Sequence, residues 1–189
     1  SVIQSDAVQR SYEEEDVEAL LEGNFEEQLL AIEQLKKSNV RNYLDVIENC
    51  LKKDPNGLVR ALLIDCLMQQ DVAVEMHAVV NGMELTFLPN YLEPVMKAEG
   101  AILAANTLCE WFEHEDPSFL KMCMETLIQE CYLHLPFHID VDEGIPLALS
   151  IVSYVKKAQG DEAGFEMFLK QYHLEREHGF ALLLEHYGI

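Results

Sequence analysis

His134, His138, Asp140, Asp142 and Glu143 form the densest gathering of ligand-type side chains in the sequence. Imidazole nitrogens with carboxylate oxygens are a donor set for a transition metal, so this stretch carries the reading of a metal-binding protein or a metal-assisted hydrolase. The metal ligands in that reading are His134, His138, Asp140 and Asp142. Spacing works against a preformed site: the two histidines share a helical face only if one helix runs through both, and Pro136 stands between them. The run from Asp140 to Gly144 also lacks the distal glutamate of an EF-hand loop. The competing reading is a loop that links two helices, with Asp142 capping the second.

A second gathering lies near the end of the chain, where His173, His178 and His186 accompany Glu177 and Glu185. His178 and Glu185 are seven residues apart and share a face if one helix spans both, but an acid–base pair also needs a cleft. Cys50, Cys66, Cys109, Cys123 and Cys131 are an odd number without a CxxC spacing. Each stands in an apolar helical stretch, where a free thiol behaves as a small hydrophobe. The chain has no glycine-rich phosphate loop, no HExxH and no Gly-x-Ser-x-Gly elbow. The reading therefore names no catalytic residue and no cofactor, and favours a protein that is not an enzyme.

The elements that must position any site are helical. Within 189 residues, 49% are hydrophobic and 25% charged, the balance of a water-soluble globular protein. No apolar run approaches the roughly 20 residues that span a bilayer, and no signal segment opens the sequence. A cytoplasmic location is expected. Thirteen Lys and Arg against thirty-four Asp and Glu give a formal charge of −21. That field disfavours nucleic acid and anionic membrane surfaces, and it leaves a basic protein as a candidate partner.

The stretch from Asn42 to Gln70 reads as two amphipathic helices hinged at Asp54-Pro55-Asn56-Gly57. Tyr43, Val46, Ile47, Cys50 and Leu51 share one helical face before the hinge; Leu58, Leu62, Ile64 (or Leu63) and Leu67 do so after it. Upstream, residues 1–11 show no periodicity and are expected to be poorly ordered, and a helix from about Glu13 stops at Gly23. A further helix over 25–37 turns Phe25, Leu29, Leu30, Ile32 (or Glu33) and Leu35 inward.

Gly23-Asn24-Phe25 at a helix start and Leu51-Lys52-Lys53-Asp54-Pro55-Asn56 at the end of the next resemble the turn chemistry of tetratricopeptide repeats. Asp54 with Val59-Arg60-Ala61 resembles the opening of a HEAT-repeat second helix, and Gly160, Gly164 and Phe168 give a second, fainter echo. The resemblance covers about a third of the chain, and the tetratricopeptide period of about 34 residues does not continue past Gln70. It implies right-handed stacking of helical hairpins and a protein-binding role, and it carries over no catalytic residue.

The hydrophobic period then changes to two. Residues 74–88 read as a β-hairpin around Asn81-Gly82, which accepts the positive φ angles of a type I′ turn. A two-residue loop pairs Val80 with Met83, Ala78 with Leu85 and Met76 with Phe87 on an apolar face, leaving His77, Val79, Glu84 and Thr86 on a largely solvated one. A lone hairpin is marginal in water, so it lies on its own helices or meets a strand from a peptide or a second copy.

Pro89 and Pro94 precede a helix over 95–113, rich in small residues, in which Ile102, Leu103, Leu108, Cys109 and Phe112 make the contacts. Trp111 lies about 100° around that helix from Phe112, which puts it on a groove wall if Phe112 is core; burial in the core is the competing and more frequent fate. Asp116-Pro117-Ser118 starts the next helix, over 119–135, and further helices follow at 146–158, 161–172 and 175–186.

The fold expected is mainly α: a right-handed stack of antiparallel helical hairpins forming one domain over 12–189, with the β-hairpin 74–88 inserted. The function expected is a non-enzymatic interaction module or scaffold of helical-repeat type that takes a protein or peptide partner. Trp111, His77, Val79 and Thr86 are its contact residues. The competing readings are the metal site and an architectural homodimer paired through the hairpin; the state expected is monomer or homodimer.

Overall fold

The computed structural model describes residues 15–187; the expectation for residues 1–11 lies outside them. The protein is mainly helical, with nine helices and a single two-stranded antiparallel sheet among the described residues. No helix among them is long and apolar enough to cross a membrane. The backbone gathers into two compact units, Ser1–Leu92 and Glu93–Ile189, where the sequence suggests one continuous unit over 12–189.

In the first unit, helix α1 (15–21) buries Val17 and Leu21 and stops before Gly23. Helix α2 (Phe25–Lys36) starts on a capping box: Asn24 accepts the Glu27 amide at 2.9 Å while Glu27 accepts the Asn24 amide at 3.1 Å. Its core face is Ala31, Ile32 and Leu35. Phe25 and Leu30, expected inward, are exposed, because the buried arc of this helix is only as wide as its contact with the central helix.

Helix α3 (Leu44–Leu51) and helix α4 (Gly57–Gln69) are the two members of the hinged pair. All five residues of the expected α3 face, Tyr43 to Leu51, are buried. The α4 face differs: Val59, Ala61, Leu63, Ile64, Cys66 and Leu67 are buried, whereas Leu58 and Leu62 are half-buried. Several elements pack around α4, namely α2, α3 and the turn Pro89–Tyr91, which widens its buried arc beyond one stripe. Gln70 fixes the loop before α3 by accepting the Val40 amide at 3.1 Å and donating to the Ser38 carbonyl at 2.9 Å. Arg41 reaches the Gln70 carbonyl at 2.6 Å. These bonds satisfy backbone groups at the end of α4 and in the loop before α3.

Strands β1 (Met76–Val80) and β2 (Met83–Phe87) pair in the expected register, Val80 with Met83 through Met76 with Phe87. Asn81 and Gly82 take positive φ, 50° and 79°, as a type I′ turn requires. Strand β1 packs on α3.

In the second unit, helices α5 (Glu99–Phe112), α6 (Pro117–Leu133) and α7 (Gly144–Ala158) pack on one another, and α8 (Glu162–Gln171) packs on α7. Helix α5 begins later than expected, since residues 95–97 form a separate 3-10 turn. Gly100 lets it approach the chain before α7: a Cβ there would collide with the Asp140 carbonyl and lie 2.5 Å from that of Ile139. Of the expected contact residues, Leu108 and Phe112 are buried, Leu103 and Cys109 are half-buried and Ile102 is exposed; Gly100, Ala101, Ala104 and Thr107 complete the buried face.

Asp116 caps α6 by accepting the Phe119 amide at 3.1 Å, with Pro117 in its first turn. Helix α7 ends on Gly160 at φ 70°, whose neighbours complete a Schellman motif: the Asp161 amide donates to the Lys156 carbonyl and that of Gly160 to Lys157. The helix expected over 175–186 is absent. A 3-10 turn (Arg176–His178) and helix α9 (Leu184–Tyr187) stand there, joined by extended chain.

Candidate functional site

The polar residues that organise the hairpin come from α3 and its hinge. Glu48 Oε2 accepts the His77 backbone amide at 2.9 Å and lies 3.1 Å from His77 Nδ1, while Lys52 Nζ sits 3.6 Å from Glu48 Oε1. Asp54, itself at φ 53°, accepts the turn amides of Asn81 at 3.0 Å and Gly82 at 2.9 Å. Two carboxylates on one helical hairpin therefore grip both the first strand and the turn. Charge-assisted bonds of this kind are stronger than neutral ones, so the hairpin is anchored at both its first strand and its turn.

Partial burial pushes the Glu48 carboxyl up. Hydrogen bonds from the His77 side chain and backbone amide, with the charges of Lys52 and His77, outweigh it and hold the group below the ordinary value of 4.5. A carboxyl depressed on folding contributes stability that is full above its unfolded value and lost as pH falls through its lower folded value. In equilibrium unfolding, wild-type protein is expected to exceed Glu48→Gln by about 1 kcal/mol at pH 7, with that advantage vanishing in strong acid. An advantage unchanged by acid would mean that the Glu48 charge does not hold β1.

His77, Val79 and Thr86 lie together on the outer hairpin face, with Glu84 opposite Val79. They line a shallow concavity of about 440 Å³ with Lys52, Ala78 and Leu85. The opposite face is covered unevenly: Met76, Ala78, Val80 and Phe87 are buried, Leu85 is half-buried, and Met83 is 55% exposed. Strand β2 is thus the less covered of the two.

Of the two fates open to Trp111, groove wall or core, the structure shows the core: it is part of the second unit's core at 8% exposure. Its indole meets Phe168 edge-on at 5.0 Å between ring centres and lies 6.0 Å from Tyr172, whose hydroxyl donates to the Trp111 carbonyl at 3.1 Å. Helix α5 is contacted from more than one side, so residues one step apart are both enclosed.

The metal-ligand set is dispersed. His138 Nε2 lies 2.8 Å from the Glu93 carbonyl, and Asp140 forms a capping box with Glu143 at the turn before α7, the capping position expected for Asp142. His134 ends α6 and stacks edge-on with Phe180 at 5.4 Å. Among the described residues no three His, Cys, Asp or Glu side chains come together as a metal site. Nor do the late histidines gather: His178 lies 3.6 Å from Glu175 instead of meeting Glu185.

Sequence reasoning passes over Glu130. It is fully buried, and its oxygens accept the Leu183 amide, with the longer contact at 3.0 Å, and the Leu184 amide at 3.2 Å. Its signal is an acid on the apolar stripe of Cys123, Leu127 and Cys131. Four of the five thiols are poor nucleophiles: burial pushes Cys50 and Cys66 up to about 11, and Cys123 and Cys131 up to about 12, so these four are protonated at neutral pH.

Comparison of the chain with protein-family models, with curated proteins and with solved structures finds no match.

Proposed function

We propose that this chain is a non-enzymatic interaction module of helical-repeat type that takes a protein or peptide partner on its β-hairpin. The observation that carries the reading is the hairpin itself. It is held at strand and turn by Glu48 and Asp54, yet it leaves Val79 and Leu85 half-buried and Met83 exposed. A rigid platform with apolar side chains open to solvent loses little conformational entropy on binding. The tetratricopeptide and HEAT likeness of the first unit belongs to this reading, since helical hairpins of that kind serve as scaffolds for presented surfaces. The four buried thiols suit a reducing compartment, which supports a cytoplasmic setting.

The test is affinity capture with two baits, the wild-type chain and Val79→Lys, both checked for native circular dichroism. The expected result is a protein enriched on the first bait and lost on the second. The same proteins on both baits, or none on either, would remove the hairpin as the binding surface.

A further inference from the structure

Resting on that reading, we infer that β2 takes an extended basic segment of its partner as a third strand. The hydrogen-bond phase of the hairpin is fixed by one contact. The His77 amide donates to Glu48, away from β2, so His77 and Thr86 are a pair that does not exchange main-chain bonds. Pairs alternate along an antiparallel ladder, which gives Val79 and Glu84 the same phase. The amides and carbonyls of Glu84 and Thr86 therefore point outward from the free side of β2. On β1 the equivalent side is taken by Glu48 and flanked by α3; no helix packs along β2 to that extent.

The side chains specify what would add there. A third strand alternates faces, placing every second residue beside Glu84 and Thr86, and the others beside Met83 and Leu85. Glu84 is exposed and favours lysine or arginine next to it, while half-buried Leu85 and exposed Met83 favour apolar neighbours. The segment recognised is thus a short alternation of basic and apolar residues, no longer than the five residues of β2. The chain's formal charge of −21 attracts such a segment and opposes edge pairing between two copies.

The experiment titrates the full-length, ¹⁵N-labelled chain with a blocked heptapeptide of alternating valine and lysine. Controls are its glutamate counterpart and the lysine peptide N-methylated at the lysine amides, the set placed beside Glu84 and Thr86. Saturable shifts centred on residues 83–87, with slowed exchange of the Glu84 and Thr86 amides, are expected for the lysine peptide alone. Losing one main-chain bond weakens binding by about tenfold, so Thr86→Pro and the N-methylated peptide should each show at least that loss. The methylated peptide leaves the protein untouched, which keeps the test valid if Thr86→Pro perturbs the hairpin. Equal binding of the methylated peptide, shifts away from β2, or protection that instead grows with protein concentration, as in a dimer, would overturn strand addition. If strand addition fails while the Val79→Lys bait still loses its partner, the interaction module stands with another binding mode. Failure of both experiments removes both.

Discussion

Replacing Glu130 by alanine is expected to destabilise the second unit by about 3 kcal/mol, because the part-buried Leu183 amide and the buried Leu184 amide lose their acceptor and are left unsatisfied. The Leu183 and Leu184 amides have the Glu130 carboxylate as their acceptor. Extended chain leads into α9, and a second polar clamp holds it: the Ser150 hydroxyl accepts the Phe180 amide at 2.6 Å and lies 2.7 Å from its carbonyl. Loss of Glu130 therefore removes one of two fixings, and buried Leu182 and Leu184 lose their register with it. The check is denaturant unfolding together with residue-resolved amide exchange. Leu183 and Leu184 should lose protection before the α5 and α7 core does. Glu130→Gln keeps one acceptor oxygen and should fall between wild type and alanine. A uniform loss of protection, with no early opening at the chain end, would mean that Glu130 supports the whole core and does not act as a local anchor.

Trp111→Ala is expected to cost about 3 to 5 kcal/mol, as truncation of a large buried aromatic does. The cluster it supports joins three helices: Phe112 of α5 meets Phe119 of α6 at 4.7 Å and Phe168 of α8 at 5.4 Å. Removing the indole opens a cavity beside Phe168 and deprives Tyr172 of a packed neighbour. Thermal unfolding followed by near-ultraviolet dichroism checks this, since Trp111 is the single tryptophan and its signal in native protein should be strong. A small cost, or a weak native signal, would return the indole to a surface position.

These two residues mark where the sequence stops speaking. Trp111 follows the helical rule that adjacent residues face about 100° apart, but that rule sets an angle and not the width of the buried arc. The arc on α5 is wide because α6 and α7 both pack against it, a fact held in other parts of the chain. Exposed Phe25, Leu30 and Ile102 show the converse, apolar residues on arcs that meet no neighbour. Glu130 breaks the apolar pattern of α6, and its partners are more than fifty residues away, at 183 and 184. No local pattern reveals such a bond.

The hairpin was the most legible element because its determinants are local. Asn81-Gly82 sets the turn, a two-residue loop sets the register, and alternation sets the faces. His77, Val79 and Thr86 could be placed together from sequence for that reason. What could not be read was the support beneath them. Asp54 registers in the sequence as part of a hinge, and Glu48 lies off the apolar face of its helix; their bonds to Gly82, Asn81 and His77 span nearly thirty residues. The dispersal of the expected metal ligands among the described residues has a related cause. His134, His138 and Asp140 are close in sequence, but the turn after α6 sends each to a different partner.

The measurement closest to the centre of this account is amide exchange along β2 in the free, dilute protein. An unpaired edge on an anchored hairpin is expected to show fast exchange at Glu84 and Thr86, slow exchange at Met83, Leu85 and Phe87, and protection at His77 where Glu48 holds its amide. Protection at Glu84 and Thr86 equal to that of their neighbours would contradict it, since the edge would then already be occupied.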